Sequence, residues 1–99
     1  MHSKKKKLYG LVVLIVVLFA CKSVLYMPTS ENTATGADIA KLQHGRELYI
    51  NKCGSCHTLF APEKYNKTDW EKWVNRMAPK AKLTEEEKTV IQAYLTKGE

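Results

Sequence analysis

The residues with chemistry to offer are concentrated in one run of this 99-residue chain, Cys53-Gly54-Ser55-Cys56-His57. Two thiols three positions apart, with an imidazole directly after the second, form the C-x-x-C-H attachment signature of c-type haem. Each thiol can close a thioether onto a haem vinyl group. The adjacent His then brings its imidazole under the iron as proximal ligand. Three other uses of such a run compete. A redox-active C-x-x-C belongs on a βαβ pattern, and none is visible. A structural zinc needs four ligands, whereas Cys53, Cys56 and His57 supply at most three. A plain disulfide between the two cysteines is the third. The His after the second Cys, an export-type N-terminus and helical patterning throughout favour one covalently attached haem c.

Three helical stretches are expected to position that run. The first covers about Ala37 to Asn51, with Ile39 and Leu42 apolar and Gly45 and Tyr49 four apart on one face. A Gly costs about 1 kcal/mol in a helix interior, so Gly45 suggests a second backbone passing close by. The second runs from about Asp69 to Met77 or Ala78. Thr68 and Glu71 suit a capping box, and Trp70, Trp73, Val74 and Met77 repeat at helical spacing before Pro79 stops the helix. The third runs from Glu85 to about Lys97. It opens with the box residues Thr84 and Glu87, buries Val90, Ile91, Tyr94 and Leu95, and closes at Gly98. No internal repeat and no strand-like alternation interrupts them, so the fold class is all-α.

With these residues on the page, positions 37–99 resemble a small monohaem cytochrome c of class I. The resemblance covers the whole C-terminal domain. It implies about three main helices around one haem held through Cys53, Cys56 and His57. It also implies a crossing of the first and last helices, where Gly45 meets Tyr94. A Pro shortly after the haem His has a neighbouring carbonyl that can orient the imidazole, and Pro62 is placed for this. Class I members usually complete the iron with Met. Beyond the N-terminal region the chain has Met27 and Met77, and Met77 is the favoured sixth ligand. A soft thioether suits a low-spin haem iron and raises its potential. By this reading the metal ligands are His57 and Met77. His44, inside the first helix, is poorly placed to reach the opposite haem face. By its spacing alone Met77 is also a core residue continuing the Trp70–Val74 stripe, and Trp70 and Trp73 are walls of the haem or plain core.

The N-terminus reads as an address. Lys4 to Lys7 precede an apolar run from Leu8 to Ala20 that ends at Cys21. A charged block before an apolar run is the layout of an export signal. The run of 13 residues spans ~20 Å as a helix, short of a ~30 Å bilayer core. It resembles a bacterial lipoprotein signal, which implies lipidation of Cys21. Without cleavage, Leu8 to Met27 is long enough to serve as a membrane anchor, with the lysines on the cytoplasmic side. Either way the domain sits on the exported side of a membrane in the cell envelope. Residues 21–36, rich in Thr, Ser, Asn, Pro and Gly, read as a flexible tether.

The formal charge of +6 is therefore not a nucleic-acid signature. The first 20 residues carry four of the positives. Residues 52–82 hold seven positives against three negatives, a basic rim suited to an acidic face on a redox partner. A chain this short excludes a large multi-domain enzyme, and three cysteines exclude a fully paired disulfide framework. The function implied is electron transfer between exported or membrane-bound redox proteins, not catalysis. Alternatives are a haem subunit of a larger redox complex, and a five-coordinate haem sensor or enzyme in which Met77 is only core.

Overall fold

The computed structural model describes residues 25–54 and 59–99. The apolar run, Cys21, Cys56 and His57 lie outside the described residues. What is described is all-α, with three α-helices and no strand: α1 (Ile39–Leu48), α2 (Lys67–Met77) and α3 (Glu85–Leu95). A π-helical turn, Tyr49–Cys53, extends α1, and one turn of 3-10 helix, Pro62–Lys64, precedes α2.

Each helix begins where a side chain satisfies its first open amides. The Asp38 carboxylate accepts from Lys41 N at 3.2 Å, so α1 starts two residues later than the periodicity suggests. At α2 the cap is Asn66, whose side chain accepts from Asp69 N at 2.9 Å, and the helix opens at Lys67. The box expected from Thr68 and Glu71 does not form, because Thr68 is already inside the first turn. The α3 box does form. Thr84 Oγ1 accepts from Glu87 N at 3.1 Å, and Glu87 returns the bond by accepting from Thr84 N at 3.0 Å. Gly98, at φ +82°, donates its amide to Ala93 O at 2.8 Å and ties off the far end of α3.

Helix α3 is the central element, packing on both α1 and α2. Its buried residues are the four expected, Val90, Ile91, Tyr94 and Leu95. They join Tyr49, Trp70 and Val74 in the core. The α1–α3 contact is backbone-close at Gly45. A Cβ added there would sit 2.2 Å from Val90 O and 2.9 Å from Tyr94 Cβ. Only the missing side chain lets the two helices approach this far, which is the contact proposed from Gly45 and Tyr94.

Residues 25–36 do not behave as the tether read from their composition. They form a strap across the end of α3. The Tyr26 ring stacks on Tyr94 with centroids 4.6 Å apart and planes within 8°. Each hydroxyl donates to the other residue's backbone carbonyl, Tyr94 Oη reaching Tyr26 O at 3.0 Å. Pro28 is fully buried, and its carbonyl accepts from Gln43 Nε2 at 3.3 Å. The Asn32 amide closes a local turn, accepting from Thr29 N and donating to Met27 O. Ala34 N donates to Lys97 O at 2.9 Å, and Lys97 Nζ pairs with Glu63 at 2.9 Å. Turn-forming residues and a stacked aromatic pair, Tyr94 buried and Tyr26 half-buried, fix this segment without any periodicity to announce it.

Candidate functional site

The candidate site is a partly open, strongly apolar cleft between the π-helical turn, α2, the turn after it, and α3. It holds about 710 Å³ of non-atom space when the open solvent at its mouth is included. Its walls include Tyr49, Cys53, Phe60, Tyr65, Trp70, Trp73, Val74, Met77, Leu83, Ile91 and Leu95, with Lys52 and Lys80 also on them. Of the sequence-predicted site residues, Cys53 and Met77 are therefore brought to the same cleft from opposite sides of the chain's turn at Pro62. Cys56 and His57 fall outside the described residues, as does Cys21.

The ends of the segment that carries Cys56 and His57 are held by one residue. Tyr49 begins the π-helical turn that presents Cys53 on the wall. Such turns re-aim side chains and are frequent at functional sites. The Tyr49 hydroxyl donates to Phe60 O at 2.7 Å and accepts from Phe60 N at 3.0 Å. Both backbone groups of the returning chain are thus satisfied by a side chain lying before Cys53. Burial pushes the Tyr49 hydroxyl up to about 12, although its bond to Phe60 acts in the opposite direction. The sequence reading placed Tyr49 only on the α1 face and missed this role. An aromatic four residues before Cys53 was the available signal.

Trp70 forms the floor of the cleft. It is 4% exposed, and its Nε1 donates to Pro62 O at 2.8 Å. The Pro62 carbonyl therefore orients an indole, and the neighbouring Ala61 carbonyl accepts from Lys64 N at 2.9 Å. Tyr65 stands edge-on to Trp70, with centroids 5.0 Å apart, and is tilted against Trp73 at 5.8 Å. Trp73 is 39% exposed, so the stripe expected at 70, 73, 74 and 77 splits into a buried floor, Trp70 and Val74, and an edge, Trp73 and Met77.

His44 is exposed on α1. It lies beside Asp38, Lys41, Glu85, Glu86 and Thr89 in a shallow polar groove separate from the cleft. It is not among the cleft walls. Among the described residues no group of three or more His, Cys, Asp or Glu side chains is arranged to hold a metal ion. Likewise, no described helix is long and apolar enough to cross a membrane.

The chain was compared with known family models, with curated proteins and with solved structures. No family model, no curated protein and no solved structure matches it.

Proposed function

We propose that the domain is a c-type cytochrome that carries single electrons on the exported side of a membrane, with one haem attached through Cys53 and Cys56 and ligated by His57 and Met77. The reading rests on one juxtaposition. A thiol of the C-x-x-C-H run and the only methionine of α2 border a single apolar cleft. The cleft walls are aromatic and aliphatic, as a large apolar ring requires. Lys52 and Lys80 lie on them, suited to the two carboxylates that a haem carries. When bound, the haem supplies an iron that cycles between two oxidation states.

The chain's own residues would do five things. Cys53 and Cys56 would hold the ring covalently, and His57 and Met77 would ligate its iron, leaving no position for substrate. Trp70 and Val74 exclude water from the interior side. Tyr49 holds Phe60, and with it the return of the attachment segment. Trp73 and Tyr65 leave one aromatic edge of the cleft near solvent, where a redox partner can approach. Burial of the ring adds apolar contact to a domain whose own core is small.

Visible spectra of the reduced Met77→Ala protein beside the unaltered chain, with and without carbon monoxide, test the assignment. The unaltered chain is expected to be low-spin and slow to bind carbon monoxide, and the variant to bind it rapidly. Rapid binding by both would leave Met77 as core and favour a five-coordinate sensor or enzyme.

A further inference from the structure

The described part of the chain has three large hydrophobic side chains well exposed: Met27 at 53%, Phe60 at 40% and Trp73 at 39%. Two of them edge the cleft, and both carry a cation on the ring. Lys64 Nζ lies 5.1 Å from the Phe60 centroid, and Arg76 Cζ lies 5.6 Å from that of Trp73. Tyr65 joins the two pairs, at 6.0 Å from Phe60 and 5.8 Å from Trp73. The result is a contiguous strip of rings and cations. Amphipathic rings beside Lys and Arg are the composition that settles at a membrane–water interface, apolar bodies inward and charges at the headgroups.

The strap says where that strip sits. Tyr26 lies under Lys97 Nζ at 5.4 Å, and Lys97 is paired with Glu63, the chain neighbour of Lys64. The strap is thus tied, through Lys97 and Glu63, to the 3-10 turn that carries Lys64. Leu25 is packed against the core. Only four residue steps separate it from Cys21, a reach of at most ~14 Å. A strap fixed from Leu25 onward keeps the domain within that reach of Cys21, closer than a flexible tether over 21–36 would. Charge points the same way. The strip belongs to the segment 52–82 with its excess of positives, whereas the separate groove holds three carboxylates, Asp38, Glu85 and Glu86, against Lys41 and His44.

We propose that the edge of the cleft formed by Phe60, Lys64, Trp73 and Arg76 is a membrane-facing surface that seats on anionic lipid headgroups, so that the cleft opens toward the membrane that holds the N-terminus. This rests on the reading of residues 1–21 as a membrane attachment, and it specifies electron exchange with partners embedded in that membrane rather than with freely diffusing ones.

The test uses the full chain in vesicles of phosphatidylcholine alone, and in vesicles with a third of that lipid replaced by phosphatidylglycerol. A membrane-impermeant acetylating reagent labels exposed lysines, which are read by mass spectrometry. Labelling of Lys64 and Lys72 is expected to fall by roughly fivefold in the anionic vesicles, the factor expected for a cation at such a surface. High salt should restore it, and Lys41, on the groove side, should be unaffected. The double variant Lys64→Gln/Arg76→Gln should lose the protection of Lys72 at lower salt. A chain retained by the vesicles but labelled equally in both overturns the proposal alone, even if an acidic protein later shields the same lysines. A chain washed free of the vesicles overturns the attachment reading, and the proposal with it.

Discussion

Replacing Gly45 by Ala puts the α1–α3 crossing to a direct test. The added Cβ would lie 2.2 Å from Val90 O, 2.9 Å from Tyr94 Cβ and 3.0 Å from the Val90 carbonyl carbon. The nearest of these atoms are backbone, so no side-chain rotation relieves the clash, and the helices must separate by about 1 Å. A gap of that size forfeits a quarter to a half of each dispersion contact it opens. Overpacking of this kind costs ~1–3 kcal/mol, with the upper end fitting a rigid neighbour. Ala gains back ~1 kcal/mol of helix propensity. The net expectation is a loss of about 2 kcal/mol. At ~4–8 °C per kcal/mol for a domain of this size, that is a fall in Tm of ~8–16 °C. Thermal unfolding of the full chain followed by helical circular dichroism measures it. A Tm unchanged or raised would refute the reasoning, since a solvent-facing Gly replaced by Ala should stabilise.

Other perturbations have equally definite outcomes. Asn66→Ala should cost ~0.5–2 kcal/mol in denaturant unfolding, because it removes the cap of α2, while Thr68→Ala should stay within ~0.5 kcal/mol. Tyr49→Phe removes the hydroxyl that accepts from Phe60 N and donates to Phe60 O, and should cost ~1–3 kcal/mol and speed hydrogen exchange at the Phe60 amide. Burial pushes Tyr49 and Tyr94 up to about 12 from the usual 10.0, and raises Tyr26 further. A folded-state value above the unfolded one means that the native chain binds more protons as pH rises past 10. Stability is therefore fully present below about pH 10 and lost as pH climbs through about 12. Denaturant midpoints at about pH 8 and about pH 11 should differ accordingly, and tyrosinate absorbance of these residues should appear later in the folded chain than in the denatured one.

What was legible in the sequence was what local spacing determines. The four buried residues of α3 and both arms of its capping box follow from a pattern of three and four, and a Gly in the interior of α1 marked a close backbone approach. Two candidate caps lay within three residues at α2. Asn66 outranks Thr68, and the sequence reading took the weaker one. The strap was illegible for a different reason. It is held by single contacts from Tyr26, Pro28 and Ala34 to partners far along the chain, and such contacts leave no period. Of the candidate site, the cleft's floor and Met77 follow from the α2 stripe. The 3-10 turn and the hydroxyl of Tyr49 follow from backbone geometry that composition does not encode. Pro62 is read from the sequence as orienting an imidazole through a nearby carbonyl; His57 lies outside the described residues, and the bond seen at Pro62 O is from Trp70 Nε1.

The exchange of hydroxyl bonds between Tyr26 and Tyr94 joins positions 68 apart in a chain of 99. A contact of that separation closes almost the whole described chain into one loop, and the entropy of closing it must be met before the contact contributes anything. Helices α1, α2 and α3 can nucleate locally. The strap cannot be secured until α3 exists for it to lie on, so it belongs to the last step of folding. In reverse, the same joint is a natural place for the first opening of the native state. The order in which this domain assembles is thereby written into a pair of stacked rings near opposite ends of the described chain.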